Sequence, residues 1–132
     1  MTGKKFESVG KEFLWKWNRE EKQPFIFTEV GREWGKMPRT ADDKNQYEID
    51  LCALNKRTKE ILFGECKWQE NVDAFRILQE LRQKAAYVPW HNQQRKEYYA
   101  LFAKSFKDKN IKEKNIYLFD LKYMEKEFKK KP

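Results

Sequence analysis

Histidine and cysteine are nearly missing from this sequence, which has one His and two Cys in 132 residues. A zinc site of the Cys/His type therefore has too few ligands, and the pair of thiols fits a reducing compartment. No stretch approaches the roughly 18 uninterrupted apolar residues that a membrane span requires. Met1 to Lys11 has no apolar core of the kind a secretory signal needs. A cytoplasmic protein without a membrane partner is expected. Internal repeats, low-complexity tracts and interdomain linkers are missing too, so the chain reads as a single domain over 1–132.

Aromatic side chains are abundant, with ten Phe and five Trp among 39% apolar residues. They supply enough volume to close a core although 38% of the residues are charged. The net charge is +8. Residues 1–50 carry ten basic and ten acidic side chains, residues 51–100 nine and six, and residues 101–132 ten and five. The basic excess grows toward Lys129-Lys130-Lys131. A polyanion, most commonly nucleic acid, suits that balance. Charge alone fits a lysine-rich solvated surface equally well.

Helical spacing of Phe6, Val9, Phe13, Leu14 and Trp17 predicts an amphipathic helix over 4–20, with Trp15 on the opposite face. Gln23-Pro24 ends it, and Phe25 to Trp34 has the aromatic content of a strand. Residues 36–46, with Pro38, Asp42, Asp43 and Asn45, read as a polar loop. Tyr47–Leu54 and Glu60–Trp68 are β-prone runs around a short polar segment, which is a hairpin signal. A second helix is expected over 73–88, with Ala74, Ile77, Leu78, Leu81, Ala85 and Val88 on one face and Pro89 after it. Tyr98–Ala103 and Ile116–Leu121 complete the strands. A short basic helix or tail follows from about residue 122. The order is α-β-β-β-α-β-β.

The hairpin holds the chemistry. If Asn55 pairs with Glu60, Asp50 falls opposite Glu65 and Glu48 opposite Lys67, and alternation puts all four on one face with Cys52 and Leu54. Tyr47, Ile49, Leu51 and Ala53 take the other face. Both faces are largely apolar, as in strands covered by helices on each side. Opposed carboxylates in a half-buried place repel unless something neutralises them. A divalent ion does so, and oxygen-only ligands suit Mg²⁺ or Mn²⁺. Lys67 would reach the same cavity, to stabilise charge developing on a phosphate or to position or deprotonate an attacking water. A salt-bridged surface ladder is the alternative, and the apolar positions on both faces weigh against it.

An acidic residue on one strand and Glu-x-Lys on the next, here Glu48-Ile49-Asp50 and Gly64-Glu65-Cys66-Lys67-Trp68, resembles the PD-(D/E)XK nuclease superfamily. The chain is also similar to an uncharacterised domain found C-terminal to many archaeal ATPases. Phe6-Glu7, Gly31-Arg32 with Trp34, Glu48 to Leu51, Phe63 to Trp68, Leu81 with Lys84, Tyr98-Tyr99 and Phe102 to Ser105 carry that likeness over roughly residues 5–106. The resemblance implies an α/β fold of the restriction-endonuclease kind, a mixed sheet flanked by helices. It also implies Mg²⁺-dependent cleavage of DNA. Asp50 and Glu65 would bind metal, Lys67 would be catalytic, and Glu7 matches a first-helix glutamate that often completes the metal site. Ile49 stands where the strict motif has proline. Two other readings stay open: a catalytically inactive interaction or regulatory module working with an ATPase, and a basic nucleic-acid-binding domain. The oligomeric state is not legible, a homodimer included.

Other signals carry less. Gly31-Arg32-Glu33-Trp34-Gly35-Lys36 is one residue short of a phosphate-binding loop between its glycines, and Met37 replaces its Ser or Thr. Cys52 and Cys66 are expected on opposite faces, against a disulfide. His91 reads as a surface residue. Trp34, Trp68 and Trp90 read as core or sheet-end packing.

Overall fold

A computed structural model of the chain describes residues 1–37 and 45–130. Three helices and five strands run in the order α1 (Gly3–Arg19), β1 (Glu29–Lys36), β2 (Gln46–Asn55), β3 (Glu60–Lys67), α2 (Ala74–Ala85), β4 (Lys96–Ala103), β5 (Ile116–Asp120) and α3 (Leu121–Lys129). The α/β class and mixed sheet are as expected, and residues 121–129 form a helix rather than a tail. The 36–46 loop falls mostly on residues outside those described.

Each helix starts on a side-chain cap. Thr2 accepts from the backbone N–H of Lys5, Asp73 from that of Arg76 and Asp120 from that of Tyr123, so one otherwise orphaned donor is satisfied at each end. The C-terminal end of α2 is closed from outside. Arg95, ion-paired to Glu97 at 2.7 Å, donates to the carbonyls of Ala85, Val88 and Trp90 at 2.7–2.9 Å.

The sheet order is β1-β2-β3-β4-β5. The first three strands form an antiparallel meander, and β3, β4 and β5 are parallel. Parallel neighbours need a crossover, and α2 provides it between β3 and β4. It buries Ile77, Leu78, Leu81 and Ala85 against Ile49, Ile61, Phe63 and Leu101. α1 and α3 cover the opposite face, where Phe6, Phe13, Leu14 and Trp17 meet Leu51, Leu62, Phe102, Phe119 and Met124. Burying Met124 of α3 explains why the basic C-terminal segment is docked.

The first strand departs from the expectation. It begins at Glu29, and Phe25 to Thr28 lie outside the ladder. Asn18 of α1 accepts from Phe27 N at 2.8 Å and donates to Phe27 O at 3.1 Å, while Asn55 donates to Ile26 O at 2.9 Å. Side-chain amides thus satisfy backbone groups that a strand would pair. The aromatic alternation is real, with Phe25 and Phe27 buried and Ile26 exposed, but it lines an irregular segment. Trp34 is likewise no packing residue: on edge strand β1 it is 65% exposed. Trp15 is partly buried against the α1-side core.

Candidate active site

The hairpin pairs as expected from Asn55↔Glu60 up to Leu51↔Gly64, and the ladder then stops. The expected direct pairs Asp50–Glu65 and Glu48–Lys67 are therefore not formed as ladder partners. The cause is a β-bulge in β2. Its register with β1 runs Gly31↔Cys52 and then Glu33↔Ile49, so β2 takes one residue more than β1 over this stretch. The bulge also overturns the expected division of faces. Tyr47, Ile49 and Cys52 all join the core under α2, and Leu51 joins the core under α1. Glu48 ends up exposed at the rim, 3.4 Å from Arg32.

Where the strands part, Asp50 stands in for the missing ladder acceptor. Its Oδ2 accepts from the backbone N–H of Cys66 at 2.9 Å. β3 stays fixed on its other side, paired with β4 through Glu65↔Leu101 to Lys67↔Ala103. Close approach of α1 to this point depends on Gly10. A Cβ there would lie 2.9 Å from Leu51 Cδ1 and 3.1 Å from Cys66 Sγ, both next to the two acids in sequence.

Glu65 is 4% exposed, with two contacts that matter. Its Oε1 accepts from Lys84 Nζ of α2 at 2.7 Å, and it shares a hydrogen bond with Asp50. Burial first, and then the hydrogen bond and charge of Asp50, push the Glu65 carboxyl up to about 8 against the pull of Lys84. At neutral pH Glu65 therefore keeps its proton. Glu7 approaches from α1. Its carboxyl is raised by burial and then by the Asp50 charge, and Arg32 and Lys4 oppose the rise.

Lys67 is half-buried, two residues beyond Glu65 on a regular strand and hence on the same face. It has no ion-pair partner among the described residues. Three of the expected acids and the lysine thus converge on one end of the sheet, but only Asp50 and Glu65 touch. Among the described residues no three His, Cys, Asp or Glu side chains gather into a ready metal cage. The donor set still suits a hard divalent ion, because both groups offer only oxygen and Glu65 holds a proton that such an ion would displace.

Lys84 is a site residue that the motif pattern does not assign. A signal for it exists in the sequence: it adjoins Ala85 and follows Leu81 by three residues, so a lysine borders the buried stripe of α2. The remaining expectations resolve simply. Cys52 and Cys66 are free and belong to opposite cores. His91 lies in an exposed turn with φ of 45°. No helix among the described residues is long and apolar enough to cross a membrane.

The sequence profile of DUF234, described as archaeal and bacterial proteins of unknown function, matches residues 1–86. The chain belongs to this family. The match takes in α1, the meander with both acids, and Lys84. An uncharacterised protein of Methanocaldococcus jannaschii is 36% identical over 118 residues, which are 88% of this chain and 24% of that protein. The chain thus spans about a quarter of the length of that curated relative. No solved structure matches.

Proposed function

We propose that this DUF234 chain is a nuclease-type domain of the PD-(D/E)XK kind, which hydrolyses phosphodiester bonds in nucleic acid, DNA in the first place, with Mg²⁺ or Mn²⁺. The observation that carries the reading is the contact of half-buried Asp50 with buried Glu65 at a strand splay, with Lys67 two residues further along the same strand face. Asp50 and Glu65 would hold the ion, and Glu7 of α1 would complete its ligands. A bound divalent ion would supply Lewis acidity toward the phosphoryl oxygen and make a coordinated water more acidic.

The chain's own groups have separable tasks. The Cys66 N–H fixes Asp50 at the end of the ladder, so its second oxygen keeps one orientation. Lys84 holds one oxygen of Glu65 and leaves the other for the Asp50 side. Lys67, as an ammonium group, donates to a non-bridging phosphate oxygen as its charge builds. Water oxygen forms the new P–O bond and gives a proton to solvent, while the P–O bond to the leaving group breaks and that oxygen takes a proton from solvent to depart as an alcohol.

A second reading is an interaction or regulatory module that keeps this fold, working beside an ATPase. Coverage of only 24% of the relative favours it, because a small domain in a much longer protein often serves its neighbours. One experiment separates the two. Purified protein is incubated with supercoiled, linear and single-stranded DNA in Mg²⁺ and Mn²⁺, beside Asp50→Ala. Cleavage by the wild type alone supports the nuclease; no cleavage in any combination favours the module.

A further inference from the structure

The basic excess of the sequence lies toward the C-terminus, yet three cations from the other end of the chain gather on the α1–β1 side of Asp50. A cavity of about 190 Å³ opens beside Asp50 and is lined by Lys4, Glu7, Ser8, Lys11, Gly31 and Arg32. Lys4, Ser8 and Lys11 stand at positions i, i+4 and i+7 of α1, which is one face of a helix. Arg32 faces them from β1, at the point where the register shift leaves it without a partner residue in β2. All three cations are exposed. Lys4 and Lys11 have no ion-pair partner among the described residues, and Arg32 meets only the exposed Glu48, at 3.4 Å.

The floor of the cavity is open backbone. Gly31 would meet nothing within 4 Å if it carried a Cβ, so a ligand can approach β1 closely there. Dimensions also fit. Lys4 to Lys11 spans two helical turns, about 10.5 Å along the axis at 1.5 Å per residue. That is the axial length of about three phosphates along one DNA strand at roughly 3.4 Å each.

The rival basic features are partly neutralised. In the 107–114 connector, Lys109 is ion-paired to Asp120, and Glu113 to Arg82 of α2. At the end of α3, Lys130 is paired to Glu127 at 2.6 Å.

We infer that Lys4, Lys11 and Arg32 form the phosphate-binding rim of this site, holding the nucleic-acid strand on the α1–β1 side of Asp50 so that the reacting phosphate meets the acids. The inference rests on the nucleic-acid reading above and adds where the strand lies. The basic connector and C-terminal helix then contribute little to affinity.

The test is binding of a short fluorescent DNA duplex in EDTA, where no cleavage occurs, at several salt concentrations. The variants are Lys4→Gln/Lys11→Gln/Arg32→Gln and, as a comparison, Lys107→Gln/Lys112→Gln/Lys114→Gln. Single rim variants are included so that the result does not depend on the triple variant folding. The rim variant is expected to bind roughly tenfold or more weakly, with a log K against log salt slope shallower by about 2.7, from about 0.9 per lost phosphate contact. Single rim variants should lose part of that each, and the connector variant should bind within about twofold of wild type. Equal or greater loss in the connector variant, or full affinity in folded rim variants, overturns the inference. If wild type still cleaves DNA in Mn²⁺ while the rim variants bind normally, only the rim assignment fails. If wild type neither binds nor cleaves, the nucleic-acid reading fails with it.

Discussion

Lys84 of α2 places its ammonium group 2.7 Å from the buried carboxyl of Glu65, across the sheet face from a motif that does not include it. The partner that settles Glu65 in this structure is therefore a helix lysine, and Lys67 of the Glu-x-Lys pair has no ion-pair partner among the described residues.

Removing that lysine should destabilise the protein most when Glu65 is ionised. Lys84→Met leaves a buried carboxylate facing Asp50 with no cation beside it. An unsatisfied buried group of this kind costs about 1–3 kcal/mol, more when charged. Thermal unfolding of wild type and variant is the measurement. The loss in midpoint should be larger at pH 9 than at pH 6, where Glu65 is protonated; an equal loss at both would detach Lys84 from the charge of Glu65.

The pH dependence of wild type follows from the same residue. Glu65 titrates at about 8 in the fold against an ordinary 4.5, so the folded state binds the extra proton between those values. Its contribution to stability is fully present below about pH 4.5 and is lost as pH rises through about 8. Stability should fall by a few kcal/mol, in order of magnitude, across that window. Glu65→Gln should flatten the profile. Mn²⁺ should reverse the trend, since the ion replaces the proton; calorimetry at pH 7 in two buffers of different ionisation enthalpy should show about one proton released per ion bound.

Gly10 sets how near α1 comes to the acids. Gly10→Ala would gain about 1 kcal/mol of helix propensity, but its Cβ meets Leu51 and Cys66 at 2.9 and 3.1 Å in a packed core. Overpacking of this kind costs about 1–3 kcal/mol, so a net loss in urea unfolding is expected. A stabilised Gly10→Ala would mean that the contact has slack. The same substitution should weaken Mn²⁺ binding, because the displaced helix carries Glu7.

Much of this site is legible in the sequence because strand pairing is arithmetic. Once Asn55 pairs with Glu60, Leu51 must meet Gly64, and alternation puts Glu65 and Lys67 on one face. What the pattern does not reveal is the bulge, since an extra residue in β2 leaves no mark on its apolar run. Ile49 and Cys52 share a face for that reason, and Asp50 reaches Cys66 N in place of a ladder bond. Phe25 to Phe27 mislead for a related reason: period-two burial is also what an irregular segment shows when Asn18 and Asn55 take over its backbone hydrogen bonds. The role of Lys84 needs the third dimension, because nothing in sequence spacing links a residue of α2 to one nineteen positions earlier on β3.

The last prediction separates catalysis from binding at the motif itself. Lys67→Ala should abolish DNA cleavage and leave most DNA affinity in place. The chain has 29 basic residues, and non-specific attraction to phosphate sums over many contacts, so one lysine is a small part of it. Lys67 is assigned to charge that appears only as the phosphate is attacked, and its loss should show in the rate. Asp50→Ala should stop cleavage for a different reason, loss of an ion ligand, and it should bind DNA at least as well as wild type because a negative charge beside the rim has gone. A cleavage time course in Mn²⁺, run with a binding titration at fixed salt, distinguishes the two variants. If Lys67→Ala cleaves as fast as wild type, Lys67 is not the catalytic lysine, and Lys84, already in contact with Glu65, becomes the residue to test in its place.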